Sequence, residues 1–420
     1  MTGDPMRRLP NAIFVSACSC FALILGLALG SPRASAQALA PVCHPTVSGP
    51  VVVETHDQII AAGLRAVPPI TDTGGFGFAW PDTQMGVIKT GNGYEFFGSD
   101  GGLHPVHEWD GHSVGNGKYG GVVTTMGTLD NPLGSGDPVD VSISPNPDPA
   151  VNPNYSSYGY MGGGPVYQVP AGMTGAGNLL ITYHAELPNY ALLGLAESTD
   201  NGLHWTDLGE IIRLNQPYMP GLTFSEIGDD PLVLSPDGKF FYIYFPDLPA
   251  TTTTTTTTTT HASVARASVS SLLQAAFGSS QPHAVPFEKF YETSWHLQPG
   301  IGGASTDLLA SSLQQYSGYL DVHYNSALQR YVMITSDDTN FAYYESIDGL
   351  HWTDAQFLGA FGAPGKGTGS IAPYPYSVGL GDDPRILGNP FYVYYTHLQL
   401  ENGGLPRKGD SLRRLTLTCP

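Results

Sequence analysis

Four aspartates recur at the head of similar stretches: Asp82 in Trp80-Pro81-Asp82, Asp230 in Gly228-Asp229-Asp230-Pro231, Asp321 in Tyr319-Leu320-Asp321-Val322, and Asp383 in Gly381-Asp382-Asp383-Pro384. Glu226 stands four residues ahead of Asp230, His184 and Glu186 flank one alanine, and Arg385 follows the last Asp-Pro pair. Carboxylates gathered in one place can divide labour. One, held protonated, gives a proton to a leaving oxygen; another, ionised, activates water or attacks carbon. An Asp before Pro is also a common turn former. The chemistry therefore depends on whether the fold collects these groups.

The stretches behind the aspartates are strands. After Pro231 come Leu232-Val233-Leu234, a turn at Pro236-Asp237-Gly238, and Phe240 to Phe245. After Pro384 come Ile386-Leu387, Gly388-Asn389-Pro390, and Phe391 to Tyr395; after Asp82 come Gly86-Val87-Ile88, Gly91-Asn92-Gly93, and Tyr94 to Phe97. Gly, Asn and Asp supply the positive φ of tight hairpins. The aromatic and β-branched runs suit a sheet buried on both faces. A further repeat opens at Tyr160, where Gly162-Gly163-Gly164 replaces the acid. The aspartates are 148, 91 and 62 residues apart, with two repeats inside the first interval. The expected fold is all-β: a five-bladed β-propeller of four-stranded antiparallel blades over residues 76–420. An N-terminal segment, 37–75, precedes it, with Val51–Val53 a strand and His56–Ala66 a short helix. The ten threonines of 251–260 cannot build a core and read as a loop.

Two turns, Ser198-Thr199-Asp200-Asn201-Gly202-Leu203-His204-Trp205 and Ser346-Ile347-Asp348-Gly349-Leu350-His351-Trp352, match the Asp-box pattern of sialidases and related propellers. Their Asp binds backbone amides and their Trp packs between blades, so the expected role is structural. Alternating strands put these boxes on the face opposite Asp82. The Asp82 face then collects Asp230, Asp321 and Asp383 as a ring, with His184, Glu186, Asp247, Asp337, Asp338 and His397.

Composition sets limits. The chain has 420 residues, 17 Lys and Arg against 36 Asp and Glu, and a formal net charge of −19. So acidic a chain is a poor partner for nucleic acid or an anionic membrane. Arg7-Arg8, the apolar run Ala12–Leu29 and Ala34-Ser35-Ala36 read as a signal peptide over 1–36, hence a secreted protein. No other stretch is long enough to span a bilayer. Cys18 and Cys20 leave with the signal, and Cys43 and Cys419 remain, one near each end, as an expected disulfide that closes the ring.

Trp80-Pro81-Asp82 followed by Tyr94-Glu95-Phe96-Phe97 resembles the first blade of the arabinanase, levansucrase and invertase superfamily, and glycoside hydrolase family 43 most. The resemblance implies Asp82 as general base and Glu226 as general acid; in the repeat scheme Asp230 and Asp383 lie close enough to keep Glu226 protonated. The family's second-blade acid has no counterpart, since Gly162–Gly164 stands there. Trp80, His184, Glu186, Asp321, Asp383 and Arg385 are then expected to bind substrate. The expected function is a secreted glycoside hydrolase acting on neutral poly- or oligosaccharide, as a monomer. The alternative is a non-catalytic propeller that binds glycan or protein. The mature chain lacks the arginine cluster and Arg-Ile-Pro signature a sialidase would use. No cofactor is required, although His104, His107, Asp110 and His112 offer ligands for a divalent ion at the funnel mouth.

Overall fold

A computed structural model describes residues 42–64, 80–99, 119–187, 190–215, 217–218, 226–227, 231–248, 261–278, 283, 287–309, 318–363, 368–401 and 411–420. Residues 1–36, expected to be a signal peptide, the His104–His112 cluster, Asp230 and the threonine tract lie outside the described residues, as does the side chain of Glu226.

The chain begins with β1 (Thr46–Thr55) and the short helix α1 (His56–Ala61), capped by a reciprocal Thr55–Gln58 pair. A first antiparallel group holds β2 (Gly86–Thr90), β3 (Gly93–Gly98), β4 (Tyr119–Gly127) and β5 (Val139–Val141). After β6 (Ile143–Ser144), a second group runs β7 (Tyr160–Gln168), β8 (Leu179–Leu187), β9 (Tyr190–Ser198) and β10 (Trp205–Ile212). The third holds β11 (Glu226–Ile227) and β12 (Leu232–Leu234), both paired with β13 (Phe240–Leu248). It continues through β14 (His261–Ser268), helix α2 (Val269–Phe277), β15 (Glu288–Tyr291) and β16 (Ser294–Pro299). The fourth is β17 (Tyr319–Asn325), β18 (Arg330–Ser336), β19 (Asn340–Ser346) and β20 (Gln356–Ala360). Last come β21 (Thr368–Ile371), β22 (Tyr376–Gly379), β23 (Ile386–Leu387), β24 (Phe391–Glu401) and β25 (Ser411–Thr418), and β1 pairs antiparallel with β25. The first strand of the chain thus completes the last group. This all-β succession of antiparallel groups, with the first strand completing the last, is a β-propeller fold. No helix among the described residues is long and apolar enough to cross a membrane.

Side-chain alternation fills the space between groups. Trp205 is fully buried and meets Phe97 of the first group edge-on, with ring centroids 6.2 Å apart. Trp352 meets Tyr244 of the third group in the same way at 5.8 Å. Each Trp ends a Ser-x-Asp turn whose serine hydroxyl accepts the glycine amide at 2.9 Å. At Gly349, φ is 76° and an added Cβ would stand 2.3 Å from the Tyr244 hydroxyl, so the turn and the packing both require glycine. Leu179 pairs with Ser198, which puts the Ser198 turn at the opposite sheet end from Glu186.

The last group corrects one expectation. Gly381-Asp382-Asp383-Pro384 does not open its inner strand. That strand is β22, paired with β24 through Tyr376↔Tyr394. The Asp-Asp-Pro turn follows it, and Ile386–Leu387 pairs in parallel with Tyr324 and Asn325 instead. Two residues are too short a strand to be placed by local pattern.

Candidate active site

Pairing registers bring the loops of one face together. Tyr160 pairs with Glu186, Tyr319 with Ser336, and Tyr376 with Tyr394. Asp82 joins that face because its amide donates to Ser99 O at 2.8 Å, just past the end of β3. Thr396 Oγ1 donates to Pro81 O at 2.9 Å, and Tyr374 OH donates to Asp82 Oδ1 at 3.3 Å. Asp82 is half-buried and is thus framed by the first and last groups.

A second set adjoins it. Ser99 Oγ and Tyr160 OH share a 2.5 Å hydrogen bond. The Tyr160 ring meets the His184 imidazole edge-on at 6.0 Å, and His184 Nε2 lies 3.2 Å from Glu186 Oε1. His184 is buried, whereas Glu186 reaches solvent. Here the glycine run has a physical reason. A Cβ on Gly162 would stand 2.2 Å from the Tyr160 hydroxyl and 2.7 Å from Ser99 Oγ. The tyrosine folds back over the position where a side chain would otherwise point.

Gln84, two residues on from Asp82, is buried and links the groups. Its amide donates to Leu320 O at 2.6 Å and Pro375 O at 3.1 Å, and its neighbour Thr83 donates to Gly163 O at 3.1 Å. Two consecutive residues of the first group therefore tie together the second, fourth and last. On the wall of the fourth group, Asp337 caps its own turn through the amides of Thr339 and Asn340. Asp338 follows at φ 72°. Burial, then the Asp337 charge, pushes its carboxyl up to about 6. In the third group Asp247 is nearly buried, accepts from Ser305 Oγ at 2.6 Å and lies 3.9 Å from Lys289 Nζ. Lys289 is wholly buried, and that burial lowers its pKa to about 8. Glu226 is placed by its backbone alone, paired with Leu248 beside Asp247.

Other expected ligand-binding residues sit elsewhere. Trp80 is fully buried in a cluster with Phe96, Tyr376 and Tyr394, so it anchors the Asp82 segment rather than facing a ligand. Asp321 is fully buried; its Oδ2 accepts Ser377 N at 2.8 Å, and its Oδ1 lies 3.0 Å from His323 Nε2. Asp383 and Arg385 belong to the opposite end. Arg385 forks onto Asp383 at 2.8 and 2.7 Å, reaches Gln168 O at 3.2 Å, and lies 4.1 Å over the Tyr167 ring. It bolts the last group to the second where β7 ends. The expected ring of four aspartates is thus divided. Asp82 is on the open face, Asp321 is inside and Asp383 is on the far side.

The Asp321–His323 pair carries a pH signature. Burial is the largest influence and disfavours the imidazolium, but the Asp321 carboxylate, the Arg385 carbonyl and the Asp383 charge together outweigh it, and the His323 pKa is raised above its ordinary 6.5. The ring's Nδ1 lies 3.0 Å from Arg385 O, and its Nε2 faces the Asp321 carboxylate at 3.0 Å. A raised folded value stabilises fully below the unfolded value and loses that contribution as pH rises through the folded one. His323→Gln should therefore lower stability most below pH 6.5, by about 3 kcal/mol, because it leaves a buried carboxylate without its cation. The deficit relative to wild type should shrink at alkaline pH. Melting curves from pH 5.5 to 9 check this; a deficit independent of pH would contradict it.

Tyr374, Tyr160, Ser99 and Gln84 were not singled out from the sequence. The only local signal was at Tyr374, held between Pro373 and Pro375.

No family model and no curated protein matches the sequence. Among solved structures, the chain is similar to Zg3597, a family 117 glycoside hydrolase of Zobellia galactanivorans: 10% identity, 90% of this chain and 91% of that one, TM-score 0.49. It is also similar to the catalytic domain of a Coprinopsis cinerea GH62 α-L-arabinofuranosidase, at 12% identity over 90% and 97% of the two chains, TM-score 0.46. A third is an α-L-arabinanase of Penicillium chrysogenum, at 10% identity over 80% and 76%, TM-score 0.41. None of these similarities assigns a role to a residue of this chain.

Proposed function

We propose that the antiparallel groups are the five blades of a propeller and that the protein is a secreted glycoside hydrolase acting on neutral poly- or oligosaccharide. The observation that carries this reading is Asp82. It is a half-buried carboxylate on the open face, with one oxygen held by Tyr374 and an aromatic and imidazole wall beside it. In this reading Asp82 is the general base and takes a proton from water as the glycosidic bond breaks. Glu226 is the acid that protonates the leaving oxygen. Asp230 keeps Glu226 protonated, since nearby negative charge raises a carboxyl pKa. Tyr319 and Tyr374, both partly exposed, offer their rings to an uncharged sugar.

Hydrolysis should appear as new reducing ends when the protein is incubated with a panel of neutral plant and microbial polysaccharides. A sialylated oligosaccharide serves as the acidic control and should stay intact. Gly162 favours one other reading, a propeller that binds glycan without cleaving it, because the second group offers a tyrosine hydroxyl where a carboxylate would be needed. Retention of a polysaccharide without any release of reducing ends would select that reading.

A further inference from the structure

Tyr374 holds an uncommon backbone conformation at an uncommon place. Its φ is 57°, in the left-handed region, where a bulky residue is a true outlier. Such a conformation costs on the order of 1 kcal/mol or more and persists only where the surroundings over-determine it. Here they do. Ala372 N donates to Asp338 O at 2.7 Å, and Ser336 Oγ donates to Ala372 O at 2.8 Å. Thr396 N donates to Pro373 O at 3.2 Å, and Gln84 Nε2 donates to Pro375 O at 3.1 Å. Three groups of the propeller thus grip the residues around Tyr374. Its ring stands edge-on to Tyr319, centroids 5.1 Å apart, and its hydroxyl reaches Asp82 Oδ1. The partner lies 292 residues away in sequence.

We propose that Tyr374 is a positioning residue for the Asp82 carboxylate. The proposal rests on the reading of Asp82 as the reacting base. A hydroxyl fixed to Oδ1 sets the plane of the carboxylate and so decides how the group meets a ligand. Donation to the ionised form also favours that form. At 3.3 Å the contact is long for a hydroxyl and a carboxylate, as hydrogen bonds in ligand-free sites often are. The strained backbone explains the reach. With φ in the usual region, the same residue would carry its ring in another direction.

The test is Tyr374→Phe, which keeps the ring against Tyr319 and removes only the hydroxyl. Two readouts are taken. The first is the carboxyl titration of Asp82, followed by NMR with carbon-13-labelled aspartate and assigned by the signal that Asp82→Asn removes. It should move to higher pH by roughly half to one pH unit. The second is the pH profile on a polysaccharide that the wild type cleaves. Its acid limb should move in the same direction, with kcat about tenfold lower and KM within twofold. Tyr319→Leu, which loosens the ring without touching Asp82, should give the same direction with a smaller change, and it stands in if the first variant misfolds. An Asp82 titration that does not move overturns the proposal, as does a KM that rises while kcat holds, since the hydroxyl would then be binding substrate. If the wild type cleaves nothing, the hydrolase reading fails, and the NMR titration alone still decides the role of Tyr374.

Discussion

Asp82→Asn should abolish release of reducing ends, with kcat down by about a thousandfold or more, while the fold and the binding of sugar persist. The amide side chain keeps an oxygen to accept from Tyr374 OH, and the backbone bond from Asp82 N to Ser99 O is untouched. It cannot take a proton at working pH. The loss should therefore fall on kcat and spare KM, the mark of an interaction made in the transition state. The melting temperature should stay within a few degrees of wild type, because Asp82 is half-buried and asparagine keeps its size and its backbone bond to Ser99. Glu226→Gln should behave alike for the acid. Glu186→Gln is the informative companion: if it silences the protein and Glu226→Gln does not, the proton donor is Glu186, which sits beside His184 at 3.2 Å. An Asp82→Asn protein within tenfold of wild-type rate would remove Asp82 from the chemistry.

Breaking the Cys43–Cys419 disulfide should cost the largest stability change of any surface-neutral substitution. The two cysteines are 376 residues apart with Cα atoms at 5.5 Å. A cross-link over so long a loop restricts the unfolded chain strongly, and the entropy model gives about 6 kcal/mol, with measured losses of about 2–5. The local structure argues for a real contribution. Cys43 N donates to Glu345 Oε1 at 2.9 Å, Gln356 donates to Cys43 O at 2.8 Å, and Asn389 brackets Cys419 at 2.6 and 2.9 Å. Glu345 itself is buried and takes Arg330 at 2.8 Å and Tyr343 at 2.7 Å. The bond therefore ties both chain ends to the fourth and last groups at once. Cys43→Ser with Cys419→Ser should shift the urea midpoint down, and reductant should shift wild type equally. A midpoint unchanged by either would show that the β1–β25 pairing alone closes the ring.

Much of this architecture was legible in the chain. The run Phe240–Phe245 lies inside β13, Phe391–Tyr395 inside β24 and Tyr94–Phe97 inside β3. A strand buried on both faces writes its period and its bounding turns into adjacent residues, and local sequence reports both. The Ser-x-Asp turns were legible for the same reason: donor, acceptor, glycine and tryptophan are neighbours. So was the cysteine pair, because a closed ring must join its ends.

The face on which each carboxylate ends up was not legible. Asp82, Asp321 and Asp383 stand in similar local settings, but their surroundings come from far along the chain. Asp321 is buried because Ser377 N, 56 residues on, supplies its donor, and because His323 turns back toward it. Asp383 points to the far face because the inner strand of its group is Tyr376–Gly379, ahead of it rather than behind. Asp82 stays half-buried with a tyrosine hydroxyl on one oxygen because Tyr374 is held in a conformation its own sequence disfavours. Strand periods and turn glycines could be read from the chain, since these depend on residues in contact along it, and the cysteine pair could be read because the two residues flank the repeats. Tertiary structure alone decided which acids are solvated, paired or plugged, since the solvation of a charge is set by every group packed around it.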